Sequence, residues 1–207
     1  MKTWITLLAA FIAGCFASVS FGQSKTYEPQ TVSRSICRIS FEGYTSSENA
    51  STSSAGSCTV IEPSLVLTAA HVVCQSEATV DCAGEKIKGK VIALNLYRDW
   101  ALVRLERPIQ VKPRSIRKDQ CKEGEVVFSI GYGGQGYGYT RGRFVGGIFR
   151  GRAVSGDSGG PICDVAGKLV GVVTGYASDG ELLHVGKGLL EWVEANKDND
   201  PMELGGK

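Results

Sequence analysis

What most constrains this chain is how short its apolar runs are. Between residues 36 and 175 they are rich in β-branched residues and alternate with turn residues, so no helical period establishes itself. The runs are Ile36 to Phe41, Cys58 to Ile61, Leu65 to Ala69, Lys88 to Leu94, Ala101 to Leu105, Val126 to Gly131, Phe144 to Phe149, Pro161 to Cys163 and Leu169 to Gly175. The 27 glycines among 207 residues lie well above the usual share of about 7% and supply the turns between runs. Many short strands without intervening helices predict an all-β fold of barrels or a sandwich. The exception is Val185 to Asn196, where Val185, Leu189, Trp192 and Val193 recur at helical spacing and predict one amphipathic terminal helix whose stripe is core packing.

Between the runs, Thr45 to Ser57 is rich in Ser, Thr and Gly and reads as a surface loop; its Asn49-Ala50-Ser51 matches a glycosylation sequon, read here as plain loop. Arg107 to Glu123 contains Pro108 and Pro113 with many basic residues and reads as the linker between two halves, about 107–123. Residues 1–22 read as a signal peptide, with Lys2 at the charged end, an apolar stretch from Trp4 to Phe16 too short to span a bilayer, and a Ser20-Phe21-Gly22 cleavage site. The competing reading is Ile12-Ala13-Gly14-Cys15, a lipoprotein box that would anchor the chain to the envelope through Cys15. Either way the chain is expected to be exported, secreted or periplasmic. Residues 23–34 read as a flexible arm, 35–197 as the folded domain and 198–207 as a polar tail.

A net charge of +2 with acids and bases interspersed gives no basic face of the kind nucleic acid requires. Removing or lipidating Cys15 leaves Cys37, Cys58, Cys74, Cys82, Cys121 and Cys163, an even set that in an exported protein predicts up to three disulfides. No pair has the close C-x-x-C spacing of a metal site, and only His71 and His184 could add a ligand, so neither a metal nor a cofactor is expected. Gly131-Tyr132-Gly133-Gly134-Gln135-Gly136 has the form of a dinucleotide fingerprint, but no helix follows to receive a pyrophosphate. It reads as a loop, with Tyr132, Tyr137 and Tyr139 capping the fold beside it.

Three segments carry chemistry: Thr68-Ala69-Ala70-His71, Asp99-Trp100-Ala101-Leu102 and Gly156-Asp157-Ser158-Gly159-Gly160-Pro161. A serine hydroxyl is a weak nucleophile near neutral pH. It needs a histidine to take its proton and a carboxylate to fix that histidine's tautomer. Each segment alone is a common turn or packing pattern. Together, in the order His, Asp, Ser, they differ from the orders found in α/β-hydrolases and subtilisins. His184 has no motif around it.

On these motifs, and on Trp192 in a terminal helix, the chain resembles the chymotrypsin-like (trypsin-like) serine protease family over about residues 34–197. The resemblance implies two antiparallel β-barrels with the active site in the cleft between them, plus a C-terminal helix. It also implies a serine endopeptidase acting on polypeptide substrates through an acyl-enzyme. Carried across, Ser158 would be the nucleophile, His71 the general base and Asp99 its orienting carboxylate, with the N–H groups of Gly156 and Ser158 as the oxyanion hole. Thr174 to Ala177 would supply the edge along which substrate backbone is added, and Thr174, Gly175 and Tyr176 with Arg152 would line the specificity pocket. Cys58 with Cys74 resembles the family's histidine-loop disulfide, although Cys74 lies three residues beyond His71; beyond that pair the connectivity stays open, Cys121 with Cys163, leaving Cys37 with Cys82, being one choice. A monomer without a membrane span is expected. The rival readings are a catalytically silent binding or regulatory protein on this fold, and an esterase.

The chain departs from the animal digestive members in two places. No Ile-Val-Gly-Gly type terminus is available to pair with the carboxylate preceding the nucleophile, here Asp157, so Asp157 needs another partner. Arg152 stands six residues before Ser158, where trypsin-type members carry Asp at the pocket floor. An arginine there would favour an acidic substrate side chain if it points inward, and would do nothing if it points out from a shifted loop. Both features, with the chain's length and Gly56-Ser57-Cys58-Thr59-Val60-Ile61, bring it nearer the bacterial exported members.

Overall fold

The structure, a computed structural model, describes residues 34–44, 51–134, 136–175 and 188–204. These form strands β1 (Ile36–Tyr44), β2 (Ser51–Glu62), β3 (Leu65–Thr68), β4 (Glu77–Cys82), β5 (Glu85–Asn95), β6 (Trp100–Leu105), β7 (Val126–Gly131), β8 (Gly138–Val145), β9 (Ile148–Arg150), β10 (Pro161–Asp164) and β11 (Leu169–Val172). A 3-10 turn occupies Ala70–Val72, and helix α1 spans Leu189–Asn196. The first six strands close into a barrel in the order β1-β2-β3-β6-β5-β4; the remaining five form a sheet in the order β11-β10-β7-β8-β9. The fold is therefore all-β, in two β-modules with one short helix.

Burial follows the pleat. Along β4 and β5 inward residues such as Val80, Ile87 and Val91 alternate with exposed Asp81, Lys86 and Lys88. By contrast β3, β10 and β11 are buried throughout, because they are covered on both faces. The main core runs from Ile39, Phe41, Val60 and Leu67 to Leu169 and Val172 of the second module and to Leu189 and Val193 of the helix. Helix α1 starts after Gly188 (φ 81°) and sets Trp192 against Trp100, ring centroids 5.6 Å apart. It is shorter than the predicted 185–196, and Val185 and His184 lie outside the described residues. The tail folds back as well: the Met202 N–H donates to the Val91 carbonyl at 2.7 Å, and Met202 and Leu204 lie against the core.

Three local readings change. The described part of the predicted Thr45 to Ser57 loop, from Ser51 on, is strand: Ser51 through Ser57 pair with Tyr44 through Arg38, so backbone pairing outweighs their Ser-rich composition. Phe144 to Phe149 is a hairpin rather than one strand, turning at Gly146-Gly147 (φ 61° and 85°), which matches the twist that tight hairpins require. Strand β4 was not expected, because Glu77-Ala78-Thr79-Val80-Asp81-Cys82 places only alternate residues in the core.

Of the three expected cysteine pairs, Cys37 with Cys82 is present and the other two are corrected. The disulfide joins Cys37 to Cys82, Cα atoms 4.7 Å apart, while Cys58, Cys74, Cys121 and Cys163 are free thiols. Strand register explains this. Arg38 is opposite Asp81 and Ile39 opposite Val80, so one step further along the ladder sets Cys37 beside Cys82. The proposed Cys58–Cys74 bridge fails because Cys74 sits beside Ser54 at 3.5 Å, four strand residues from Cys58. That is about 13 Å at 3.3 Å per residue, beyond disulfide reach. Cys121 and Cys163 lie on opposite faces of the second sheet: Cys121 packs with Val127 and Ile162, whereas Cys163, the neighbour of Ile162 in β10, packs with Ile36, Phe128 and Ile130. Burial raises the thiol pKa of Cys58, that of Cys121 to about 11 and that of Cys163 to about 12, so these groups stay protonated and unreactive at neutral pH.

The segment between β6 and β7 is laced to both modules. Ile109 and Arg114 donate N–H bonds to Pro63 and Val60 of the barrel, and the Arg117 N–H donates to the carbonyl of Leu169 in β11, whose own N–H donates to the Ser115 carbonyl. Arg117 then grips Glu125 through Nη1 and Nη2 (2.5 and 3.1 Å) and Asp164 at 3.3 Å. The Arg117 hydrogen bonds hold the Glu125 carboxyl below the ordinary glutamate range. A depressed carboxyl stabilises the fold above its unfolded value of about 4.3, and that contribution disappears as pH falls through the lower folded value.

Glu125→Gln is expected to lower stability by about 1 to 2 kcal/mol near neutral pH. The gap in melting temperature between wild type and variant should close as pH falls below the unfolded glutamate value of about 4.3; a gap independent of pH would contradict the clamp. Alkylation of the denatured, unreduced protein should label Cys58, Cys74, Cys121 and Cys163 and spare Cys37 and Cys82 in peptide mass spectra.

Candidate active site

His71 lies in the 3-10 turn that follows β3, and Asp99 lies at the end of the turn leading into β6, the strand paired with β3. The two are locked together. Asp99 Oδ2 lies 2.6 Å from His71 Nδ1, Oδ1 accepts the His71 backbone N–H at 2.7 Å, and the Asp99 carbonyl accepts the Ala70 N–H at 3.1 Å. An ionised carboxylate only accepts, so Nδ1 carries the proton and Nε2 presents its lone pair outward. The side chains are 45% and 23% exposed, so the ring stands at an open surface with its carboxylate behind it. Asp99 adopts φ 57°, a left-handed conformation that a non-glycine residue holds only where its surroundings require it.

Ser158 comes from the other module, in the turn between β9 and β10. Its carbonyl accepts the Ser57 N–H at 2.7 Å, and the following Gly159 donates to the Val173 carbonyl at 2.7 Å. At Gly159 (φ 83°) a Cβ would come within 2.1 Å of Thr68 Oγ1, 2.2 Å of the Ser57 carbonyl and 2.9 Å of the Ala69 nitrogen. Only glycine permits that approach, and it sets the nucleophile loop directly against the segment that carries His71. The Ser158 hydroxyl is half-buried, and no hydrogen bond joins it to His71 among the described residues. Such contacts are often long before substrate binds.

The peptide planes of the turn point in defined directions. The Ser155 carbonyl accepts the Gly134 N–H at 3.1 Å; in a trans peptide the Gly156 N–H therefore faces the opposite way. Gly156 has φ 97°. The Asp157 N–H is taken by the Val154 carbonyl at 3.0 Å, whereas the N–H groups of Gly156 and Ser158 donate to nothing among the described residues. Two free, neighbouring donors beside a serine suit a developing oxyanion.

Asp157 has its partners. Oδ1 accepts the Gly133 N–H and Oδ2 the Val154 N–H, both at 2.9 Å. The glycine run is the cradle: a Cβ at Gly133 would lie 2.5 Å from Asp157 Oδ1. This is the residue role that reading the sequence missed; the glycine run stood out there for a nucleotide fingerprint it does not serve. Tyr132 and Tyr137 pack edge to face at 5.6 Å, and Tyr139 lies 6.4 Å from Phe128, consistent with capping the sheet.

Arg152 is exposed and, with Tyr139, Val154 and Asp157, borders a cavity of about 240 Å³. Solvent screens a charge in that position. Thr174 and Gly175 follow Val173, whose N–H donates to the Gly160 carbonyl at 2.8 Å. Tyr176 lies outside the described residues.

Residues 56–172 match the trypsin-like peptidase domain family. No curated protein matches the chain. In fold it is similar to the Rv3671c protease of M. tuberculosis in its active form, at 23% identity and TM-score 0.71 over 85% of this chain and 86% of that one. It is also similar to the inactive form, at 23% identity and TM-score 0.65 over 81% and 91%.

Asp157→Asn retains one acceptor and turns an amide NH₂ toward the other backbone N–H. The rate of Ser158 labelling by a fluorophosphonate is expected to fall about tenfold, the equivalent of one buried charge-assisted hydrogen bond. Unchanged labelling would separate this carboxylate from the geometry of the serine turn.

Proposed function

Because the chain belongs to the trypsin-like peptidase domain family, we propose that it is a serine endopeptidase working through an acyl-enzyme on Ser158. The observation that carries this is the double hold of Asp99 on His71, through ring and backbone together, which leaves Nε2 as the free base. Ser158 attacks the scissile carbonyl as Nε2 takes its proton, and the carbonyl oxygen becomes an oxyanion facing the N–H groups of Gly156 and Ser158. Collapse of the tetrahedral intermediate breaks the C–N bond while the imidazolium returns the proton to the leaving amine. A water, deprotonated by the same nitrogen, then releases the acyl group. Asp99 stabilises the imidazolium in both halves. The acyl side of the polypeptide adds along Thr174, Gly175 and Tyr176 as an extra strand.

The protein is further proposed to act outside the cytoplasm as a monomer, delivered by the signal segment 1–22 or held at the envelope through Cys15; both segments lie outside the described residues. Mass spectrometry of the mature terminus decides between them: a chain starting at lipid-modified Cys15 refutes simple secretion.

A second reading, a silent binding protein on the protease fold, draws on one observation, the missing hydrogen bond between Ser158 and His71. A fluorophosphonate probe separates the two. Wild type is expected to label and Ser158→Ala not to; an unlabelled wild type favours the binding protein. Hydrolysis of simple esters but not polypeptides would favour the esterase. Asp99→Asn is expected to reduce kcat by about 10⁴-fold by admitting the wrong histidine tautomer, measured on an internally quenched peptide.

A further inference from the structure

Ser57, fully buried in β2, is tied to the serine turn by two bonds, one from its backbone and one from its side chain. Its N–H donates to the Ser158 carbonyl at 2.7 Å, and its own carbonyl accepts Thr68 Oγ1 at 2.8 Å. The side chain adds a second pair: Oγ donates to the Gly156 carbonyl at 2.8 Å and accepts the Tyr132 N–H at 2.8 Å. Because Tyr132 can only donate, the Ser57 proton is committed to Gly156. The backbone bonds survive any side-chain change, so the hydroxyl's contribution can be isolated.

We propose that Ser57 is a positioning residue for the oxyanion hole, its hydroxyl holding the Gly156–Asp157 peptide plane so that the N–H groups of Gly156 and Ser158 converge on one point. The Gly156 carbonyl belongs to the single peptide between those two donors. Two anchors bracket it: Gly134 fixes the preceding plane through the Ser155 carbonyl, and Ser57 fixes this one. Glycine at 156 tolerates many backbone conformations. The Asp157 N–H holds the same plane from its other edge through the Val154 carbonyl at 3.0 Å; without the hydroxyl only that anchor remains, and the half-buried Gly156 carbonyl and the Tyr132 N–H both lose their partner. The same oxygen connects β2 of the barrel to the residue following β7, so the donors align only when the two modules are seated on each other. Ser57 touches no reacting atom. Its effect belongs to the transition state, where charge appears on the oxyanion, and not to substrate binding.

This inference rests on the endopeptidase reading, and the test keeps the two apart. Wild type, Ser57→Ala and Ser57→Cys are compared on an internally quenched peptide, with a peptide aldehyde as a mimic of the tetrahedral intermediate and thermal unfolding as a control. Ser57→Ala is expected to lose about 10- to 100-fold in kcat, the range for a weakened oxyanion donor. KM should move less than about twofold, aldehyde affinity should fall in parallel with kcat, and the pH midpoint of activity should not move. Ser57→Cys fills the same space with a weak donor and should fall between the two; it also carries the test if the alanine variant does not fold. A KM rise at constant kcat, or aldehyde affinity equal to wild type, overturns the proposal. A wild type that turns over no peptide overturns the endopeptidase reading, and this inference falls with it.

Discussion

The site depends on one close approach, that of Gly159 to Thr68, Ala69 and the Ser57 carbonyl. His71 and Asp99 are built wholly within the first barrel, and Ser158 wholly within the second module. Only the seam between them makes a serine and a base into one site. That seam sets the Gly159 backbone against the Ser57 carbonyl, the Ala69 nitrogen and the Thr68 hydroxyl, itself bonded to the Ser57 carbonyl, so there is little room for adjustment. A methyl group at 159 would have no room. The neighbouring bonds, Ser57 N–H to the Ser158 carbonyl and Gly159 N–H to the Val173 carbonyl, fix the loop from both flanks, and the linker that laces β2 to β11 keeps the flanks in register.

The serine turn is also organised from within its own module. Asp157, which would otherwise be a charge in search of a counterion, is satisfied by two backbone N–H groups. Backbone donors solvate a carboxylate as effectively as a cation does, without a second charge to desolvate. The geometry of the turn in this structure is accordingly maintained by the glycine loop that follows β7. Seen this way, the Gly131–Gly136 run and the Gly156–Pro161 run form one unit, the first shaped by how near the second must come.

Much of this could be read from the residues. The strand-rich fold followed from the short β-branched runs, and the His71, Asp99 and Ser158 segments stood out by type and order. Less visible was whatever depends on register. Cys37 and Cys82 are paired because a ladder sets them opposite one another, and no spacing in the sequence encodes which strands are neighbours. Strand β4 was hidden because half its residues face water, and Ser51 to Ser57 because pairing partners decide the fate of a polar segment. Ser57 and Gly133 escaped notice for a similar reason: each acts through a contact with residues far along the chain, and neither belongs to a recognisable catalytic pattern.

The placement of the Cys37–Cys82 bond has a consequence for the barrel as a closed object. The ladder between β1 and β4, three residue pairs from Arg38–Asp81 to Ser40–Thr79, is the seam at which the first barrel shuts. The bond lies at its end and joins residues separated by 45 positions; a cross-link over such a loop restricts the unfolded chain by about 4 kcal/mol in the chain-entropy description. It works as a rivet on a three-pair edge of the cylinder that carries His71 and Asp99. Bonds of this kind persist in oxidising surroundings and are lost in reducing ones. The closure of the barrel that carries the base is thereby tied to the redox state of the compartment the chain occupies.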